Sequence, residues 1–231
     1  MIARRTVLEG IAAAAALAGL PARASVAPVE RRLDGEFSAV RIELPADVVL
    51  KPAASPYARV TAASDVEPLV RIARRGDELV VDAVRSFQTR DPLRIEIGYR
   101  RLRRAEVRGA GDVAIDGPRD GALQLRVSGS ADVSLAGLNL SALRVDIEGS
   151  ATVTAAGAAT EQTIGLKGSS TYEAKSLRSR TVVAEAHGSS EATVDVAERL
   201  VARVDGTASV RYTGPARVER QVGGTGTVER I

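Results

Sequence analysis

The 231-residue sequence predicts an all-β fold, a parallel β-helix or β-solenoid with coils of about 20 residues, and three observations carry that expectation. A short turn phrase recurs seven times, with its leading glycine at Gly109, Gly129, Gly149, Gly168, Gly188, Gly206 and Gly224, at spacings of 20, 20, 19, 20, 18 and 18 residues. Apolar residues alternate on both sides of each glycine, the period of a strand with one face buried. Finally, the chain is 45% hydrophobic but only 3% aromatic, with no Trp, so its apolar load is Val, Leu, Ile and Ala, suited to a narrow stacked interior.

Taken in order, residues 1–24 read as a signal peptide: Arg4 and Arg5 at the start, an apolar stretch from Ile11 to Leu20, and a small-x-small exit at Ala22-Arg23-Ala24. Ser25-Val26-Ala27 offers a second exit, so cleavage after Ala24 or Ala27 is expected. The apolar stretch is shorter than the roughly 20 residues a membrane-spanning helix needs. The phrase Ala3-Arg4-Arg5-Thr6-Val7-Leu8-Glu9 resembles a twin-arginine export signal, with Ala3 and Glu9 in place of the usual serine and lysine. Removing Arg4, Arg5, Arg23 and Glu9 with the leader lowers the formal charge from +3 to +1, a balance that does not favour nucleic acid. The chain has no cysteine, which excludes disulfides, thiolate chemistry, cysteine-ligated zinc and a lipidated export cysteine.

Residues 25–34 read as a linker, and 35–231 as one domain whose first part, 35–99, is β-rich but less regular. Strands are expected within Phe37–Leu50 and at Arg59–Ala62, Glu78–Asp82 and Leu93–Tyr99, with Val66–Ala73 either a short helix or a strand. Regular coils fill 100–231. Two and four residues before each leading glycine stand Val107/Ala105, Val127/Leu125, Ile147/Val145, Leu166/Ile164, Ala186/Ala184, Val204/Ala202 and Val222/Arg220. Four and six after it stand Val113/Ile115, Val133/Leu135, Val153/Ala155, Tyr172/Ala174, Ala192/Val194, Val210/Tyr212 and Val228/Arg230. Two inward-facing strands per coil follow, with the glycine at the corner between them. Gly117, Gly137, Gly157 and Gly214, eight residues after a leading glycine, mark a second corner. Arg220 and Arg230 at inward columns make the last coil a polar cap that limits end-to-end pairing.

At these residues the sequence resembles the auto-transporter adhesin head GIN domain family of exported bacterial proteins, from roughly Leu33 to Glu229. The resemblance rests on Phe37-Ser38-Ala39-Val40-Arg41-Ile42, Asp77-Glu78-Leu79-Val80-Val81, the serial Gly-Ser-Ala/Ser-Asp/Thr turns and Val210-Arg211-Tyr212-Thr213-Gly214-Pro215. It implies a right-handed parallel β-helix or related solenoid and a cell-envelope location, periplasmic or cell-surface, and it brings no catalytic residues. The usual Gly-Ser-Gly-Asp turn has drifted here to Gly-Ser-Ala-Thr and Gly-Ser-Ser-Glu.

Three constellations are weighed for chemistry. Asp112, Asp132 and Glu191 share the column three residues after the glycine; a calcium site between coils would need more oxygen ligands than adjacent Asp112 and Asp132 supply, so turn capping is the expected role. His187 is the single histidine, points outward beside Gly188, and has no serine-carboxylate partner at triad spacing; Ser189 and Ser190 belong to the repeat. Likewise Ser130, Ser150, Ser169, Ser189, Thr207 and Thr225 form a hydroxyl column in the turns. Arg100, Arg101, Arg103 and Arg104 are the densest basic run, expected on an edge coil, and are the candidate contact surface for an acidic polymer or a partner protein. No metal ligands, cofactor or phosphate-binding loop are expected. The favoured function is a non-enzymatic envelope module, adhesin-like or structural; the alternatives are a protein that binds or cleaves acidic glycans, using the basic run with Asp112 or Asp132, and a scaffold that self-assembles through its coil ends.

Overall fold

The computed structural model describes residues 28–89, 91–119 and 121–231. The expected signal peptide, with Arg4, Arg5 and both cleavage points, lies outside the described residues. Within them the chain is nearly all β: a solenoid of about six turns whose parallel partners lie about 20 residues apart.

The regular part begins with β8 (Arg104–Gly109), β9 (Asp112–Asp116) and β10 (Ala122–Gly129). It continues through four long strands that each bend around corners, β11 (Asp132–Gly149), β12 (Thr152–Gly168), β13 (Thr171–Gly188) and β14 (Glu191–Gly206). It closes with β15 (Ser209–Thr213), β16 (Arg217–Val222) and β17 (Thr227–Arg230). Residues before the leading glycines stack in one face, in the order β8, β10, then the second halves of β11 to β14, then β16. Residues after them stack in a second face, from β9 through the first halves of β11 to β14 to β15 and β17. A short third side pairs Leu138–Leu140 with Gly157–Ala159, and these with Leu177–Ser179.

The inward columns are buried as the alternation predicts, from Val107, Val127, Ile147 and Leu166 on one face to Val113, Val133, Val153 and Tyr172 on the other. At the end of the stack the pattern fails. Val222 is exposed, as are Arg220 and Arg230, because no further coil covers β16 and β17. The leading glycines all have positive φ, +115° at Gly149, and there a side chain would also meet the carbonyl of the corner below. Two residues on, Ala131, Ala151, Ser170, Ser190 and Ala208 point inward and are fully buried, which is why that position stays small. One buried polar cluster interrupts the apolar interior: the Tyr172 hydroxyl donates to Gln162 Oε1 at 2.8 Å, and the Gln162 amide donates to Ser179. Burial pushes the Tyr172 hydroxyl well above the usual tyrosine value.

The region 35–99 contains two further parallel layers, stacked out of sequence order. β2 (Ala39–Ile42) and β3 (Asp47–Pro52) form one; β6 (Glu78–Ala83) and β7 (Arg94–Tyr99) form the other. β2 lies between β6 and β8, and β3 between β7 and β9. The chain therefore starts one layer in, builds the outermost layer, and returns across it to continue as β8. Antiparallel strands cover that outer layer: β4 (Tyr57–Thr61) pairs with β7, and β5 (Val70–Arg75) pairs with β6 after a 3-10 turn at Glu67–Leu69. β1 (Val29–Arg32) pairs with β4, so the expected linker 25–34 is in part a strand. Its Val-Glu-Arg-Arg sequence suits an edge, where charge discourages further pairing, and Arg31 ties it down by donating to the Val70 carbonyl at 3.0 Å.

Candidate functional site

The first face carries many of its charges in pairs. Arg41 meets Glu78 at 2.5 Å and Glu106 at 3.5 Å, Arg108 meets Glu43 at 3.1 Å, Arg144 meets Asp146 at 2.9 Å, and Arg203 meets Glu185 at 2.7 Å. Hydrogen bonding to Glu78 raises the Arg41 pKa further. Such half-exposed pairs contribute little each, about 0–1 kcal/mol, but opposite charges on neighbouring coils favour the native register.

The second face has pairs towards its ends, Lys51 with Glu96 at 2.8 Å and Arg211 with Glu191 at 2.6 Å. Between them Ala114, Ser134, Thr152 and Thr154 are small or hydroxylic, with Val49 exposed nearby, and they line an open trough of about 870 Å³. Asp112 and Asp132 lie in it as register partners. Because β3 stacks on β9, Asp47 takes the place next to Asp112, so three carboxylates stand in consecutive layers; Arg94 reaches Asp47 at 3.6 Å at one end. The sequence signal was present: Ala46-Asp47-Val48-Val49-Leu50 repeats the pattern of Ala131-Asp132-Val133-Ser134-Leu135 without a leading glycine.

The expected capping role of the acidic column is not what the geometry provides. Among the described residues none of Asp112, Asp132 and Glu191 bonds its own turn, and Glu191 instead pairs with Arg211 at 2.6 Å. The corners are closed by backbone bonds from coil to coil, such as Ser150 N to Gly129 O at 2.9 Å and Thr152 N to Ala131 O at 3.2 Å, which leave the side chain free to point outward. In the hydroxyl column, Ser189 and Thr207 bond each other at 3.1 Å. His187 is exposed, with Nδ1 4.0 Å from Asp205; the buried Ser190 hydroxyl donates to the His187 carbonyl, not to its ring. No cluster of three or more metal-ligating side chains occurs among the described residues.

The basic run Arg100–Arg104 lies only in part on the edge layer where it was expected. It is the segment by which the chain crosses from β7, in the outermost layer, to β8, in the third layer, where β8 is flanked by β2 and β10. Leu102 is buried and anchors it, while the four arginines are exposed. Arg100, Arg101 and Arg103 gather at one corner: all three line a recess of about 330 Å³ with Glu36, Ser38 and Asp77, and Arg100 pairs with Glu36. Arg104 is already in β8, beside Ala39 and Gln124, and does not reach that corner. A second recess of about 650 Å³ adjoins, lined by Arg100 and Arg101 together with Arg119, a residue that sequence reasoning missed because it lies in the connection from β9 to β10, outside the repeat phrase. Its wall includes Tyr99, whose hydroxyl donates to the Asp116 carbonyl and whose pKa burial pushes up.

No helix among the described residues is long and apolar enough to cross a membrane. No curated protein matches the chain. Among solved structures, that of "a putative adhesin" from Bacteroides fragilis NCTC 9343 superposes with a TM-score of 0.81 at 22% identity, over 89% of this chain and 97% of that one. "A putative adhesin" from Parabacteroides merdae ATCC 43184 follows at TM-score 0.70 and 20% identity, over 90% and 97% of the two chains. A "putative lipid binding protein" from Parabacteroides distasonis ATCC 8503 also gives a TM-score of 0.70, at 15% identity over 88% and 96%. At these identities the likeness establishes the solenoid fold. The family is established by the sequence: residues 36–216 match the family model described as "Putative auto-transporter adhesin, head GIN domain", and the chain belongs to that family.

Proposed function

We propose that this chain is a non-enzymatic, adhesin-like binding module exported to the cell envelope, and that it binds through the side of the solenoid at the basic corner of Arg100, Arg101 and Arg103, with Arg104 beside it. One observation carries the reading: three exposed guanidinium groups share adjoining concave recesses where the chain crosses from β7 to β8, whereas Arg41 and Arg108 on the neighbouring face are engaged with carboxylates. Guanidinium groups offer several donors in a plane and pair with carboxylate, sulfate or phosphate with more directionality than lysine. The stacked coils hold them in fixed relation, so little ordering cost opposes binding.

Retention of the purified protein on bacterial envelope fractions over a salt series tests this. Replacing Arg100, Arg101, Arg103 and Arg104 together by Ser is expected to abolish the salt-sensitive part of retention and leave the circular dichroism of the fold unchanged. Unchanged retention would move the contact surface elsewhere. Depolymerisation of an acidic polysaccharide by the wild-type protein, lost on replacing Asp112 or Asp132 by Asn, would overturn the non-enzymatic reading.

A further inference from the structure

The recess next to the basic corner has a composition of its own. Arg100, Arg101 and Arg119 line it with a single carboxylate side chain, Asp116, and its remaining wall is Pro52, Tyr99, Leu102, Pro118, Ala136 and the backbone at Gly117 and Gly137. Tyr99, Leu102 and Pro118 are buried and support the wall from within, while the exposed Pro52 and Ala136 present its apolar floor. The Tyr99 hydroxyl is spent on the Asp116 carbonyl, which secures the wall from beneath. Among the described residues neither Arg101 nor Arg119 has an ion-pair partner, and Arg100, though paired with Glu36, keeps further donors on its guanidinium. At about 650 Å³ the recess is within the size range of small-ligand sites, and an apolar floor under a few convergent polar groups is their usual construction.

From this geometry we infer that Arg119, with Arg100 and Arg101, forms a subsite for one anionic sugar unit of an acidic polysaccharide, the guanidinium groups taking its carboxylate, or an equivalent sulfate, and the apolar floor taking a face of the ring. The inference rests on the binding function proposed above and specifies its ligand. Two further features favour a chain-like ligand. Arg100 also lines the recess of Glu36, Ser38 and Asp77 and a third one, of about 620 Å³, bounded by Glu30, Arg32, Asp34, Glu36 and Tyr57, so three hollows meet at Arg100. Carboxylates at Glu36, Asp77 and Asp116 stand among the arginines of these hollows. Such a mixed lining accepts discrete anionic groups carried along a polymer and repels a continuous anionic plane such as a lipid surface.

Binding of the purified chain to immobilised polygalacturonate, dextran sulfate, neutral dextran and vesicles containing phosphatidylglycerol tests the inference, with Arg119→Ser, Arg119→Lys and the remote control Arg178→Ser. The expected result is binding to polygalacturonate or dextran sulfate, none to neutral dextran or vesicles, and a loss of about tenfold or more in affinity for Arg119→Ser. Arg119→Lys should recover part of it and Arg178→Ser should match the wild type. Which of the two polymers binds more tightly assigns carboxylate or sulfate. Wild-type affinity in Arg119→Ser, alongside loss in the four-arginine variant of the basic run, would remove Arg119 and this subsite while leaving the proposed function standing. Binding to vesicles alone, or to none of these probes by a wild-type protein that envelope fractions retain, would overturn the ligand class.

Discussion

Gly109 and Gly149 share a φ of +115° but differ in what lies beneath them, and this separates the two demands a corner makes on its residue. A Cβ at Gly109 would meet nothing within 4 Å. At Gly149 it would stand 2.5 Å from the Gly129 carbonyl oxygen and 3.2 Å from the Gly129 nitrogen, where real Cβ atoms do not come within 3.0 Å. Gly109→Ala should therefore cost only the left-handed backbone conformation, about 1–3 kcal/mol. Gly149→Ala adds a clash between two backbones that are also joined by the Ser150 N to Gly129 O bond, so relief requires the coils to separate. Overpacking of this kind adds about 1–3 kcal/mol, giving roughly 2–6 kcal/mol in all and, at ~2–4 °C per kcal/mol for a chain of this size, a fall in melting temperature of about 5–20 °C. Arg144→Ala, outward on the same coil, should change stability by less than about 1 kcal/mol. Thermal unfolding followed by circular dichroism measures all three. Equal losses for Gly109→Ala and Gly149→Ala would refute the close stacking of corners, and a Gly149→Ala protein as stable as Arg144→Ala would refute the register itself.

Two further outcomes follow from the ends of the stack. Arg220→Val with Arg230→Val should convert the exposed last coil into a continuation of the apolar interior and produce end-to-end dimers or longer species in analytical ultracentrifugation, at concentrations where the parent chain does not associate through that end. Lys51 first, then Tyr57 and Arg59, hold the Glu96 carboxyl below its ordinary value, and Arg71 does the same for Asp82, both on the outermost layer of β6 and β7. A lowered folded-state pKa stabilises at pH above the unfolded value, near ~4, and that contribution disappears as pH falls through the folded value. Hydrogen exchange at pH about 3 should thus show β4 to β7 opening before β11 to β13; uniform loss of protection along the chain would count against it.

The repeat phrase made the regular coils legible because one physical requirement, a left-handed corner over a carbonyl, admits only glycine and returns once per coil. The inward columns were legible for the same reason up to Val204, and failed at Val222 because burial there depends on a following coil. The first layers were harder to read. At Leu44-Pro45-Ala46-Asp47 the corner lacks its glycine, and β2 joins β8 across a sequence gap that no period announces. That displaced layering also shapes the sites: it makes Arg100–Arg103 a crossing from the outermost layer to the third, and it brings Asp47 beside Asp112. Gln162 was overlooked in a column of Leu123, Leu143, Val182 and Leu200, and its burial depends on the hydroxyls of Tyr172 and Ser179, contacts between neighbouring coils that one-coil alternation does not encode.

The row Asp47, Asp112, Asp132 sets like charges side by side where other columns of the exterior pair opposite ones. Facing residues on neighbouring strands are about 4.8 Å apart, and like charges at that distance destabilise by about 0.2–1 kcal/mol per pair. Several neighbouring carboxylates find an arginine, as Asp146 finds Arg144 and Glu191 finds Arg211. Asp112 has a carboxylate on each side, and the one arginine of the row, Arg94, stands at the far side of Asp47. Asp112→Asn keeps the shape and removes two repulsions, so it should raise the melting temperature by about 1–8 °C at low ionic strength. The gain should shrink in 1 M salt, where the screening length is about 3 Å. Asp146→Asn, which breaks an attraction, should shift stability the other way. If Asp112→Asn instead lowers the melting temperature at every salt concentration, the Asp112 carboxylate is making a favourable bond, and the repulsive reading of this column is wrong.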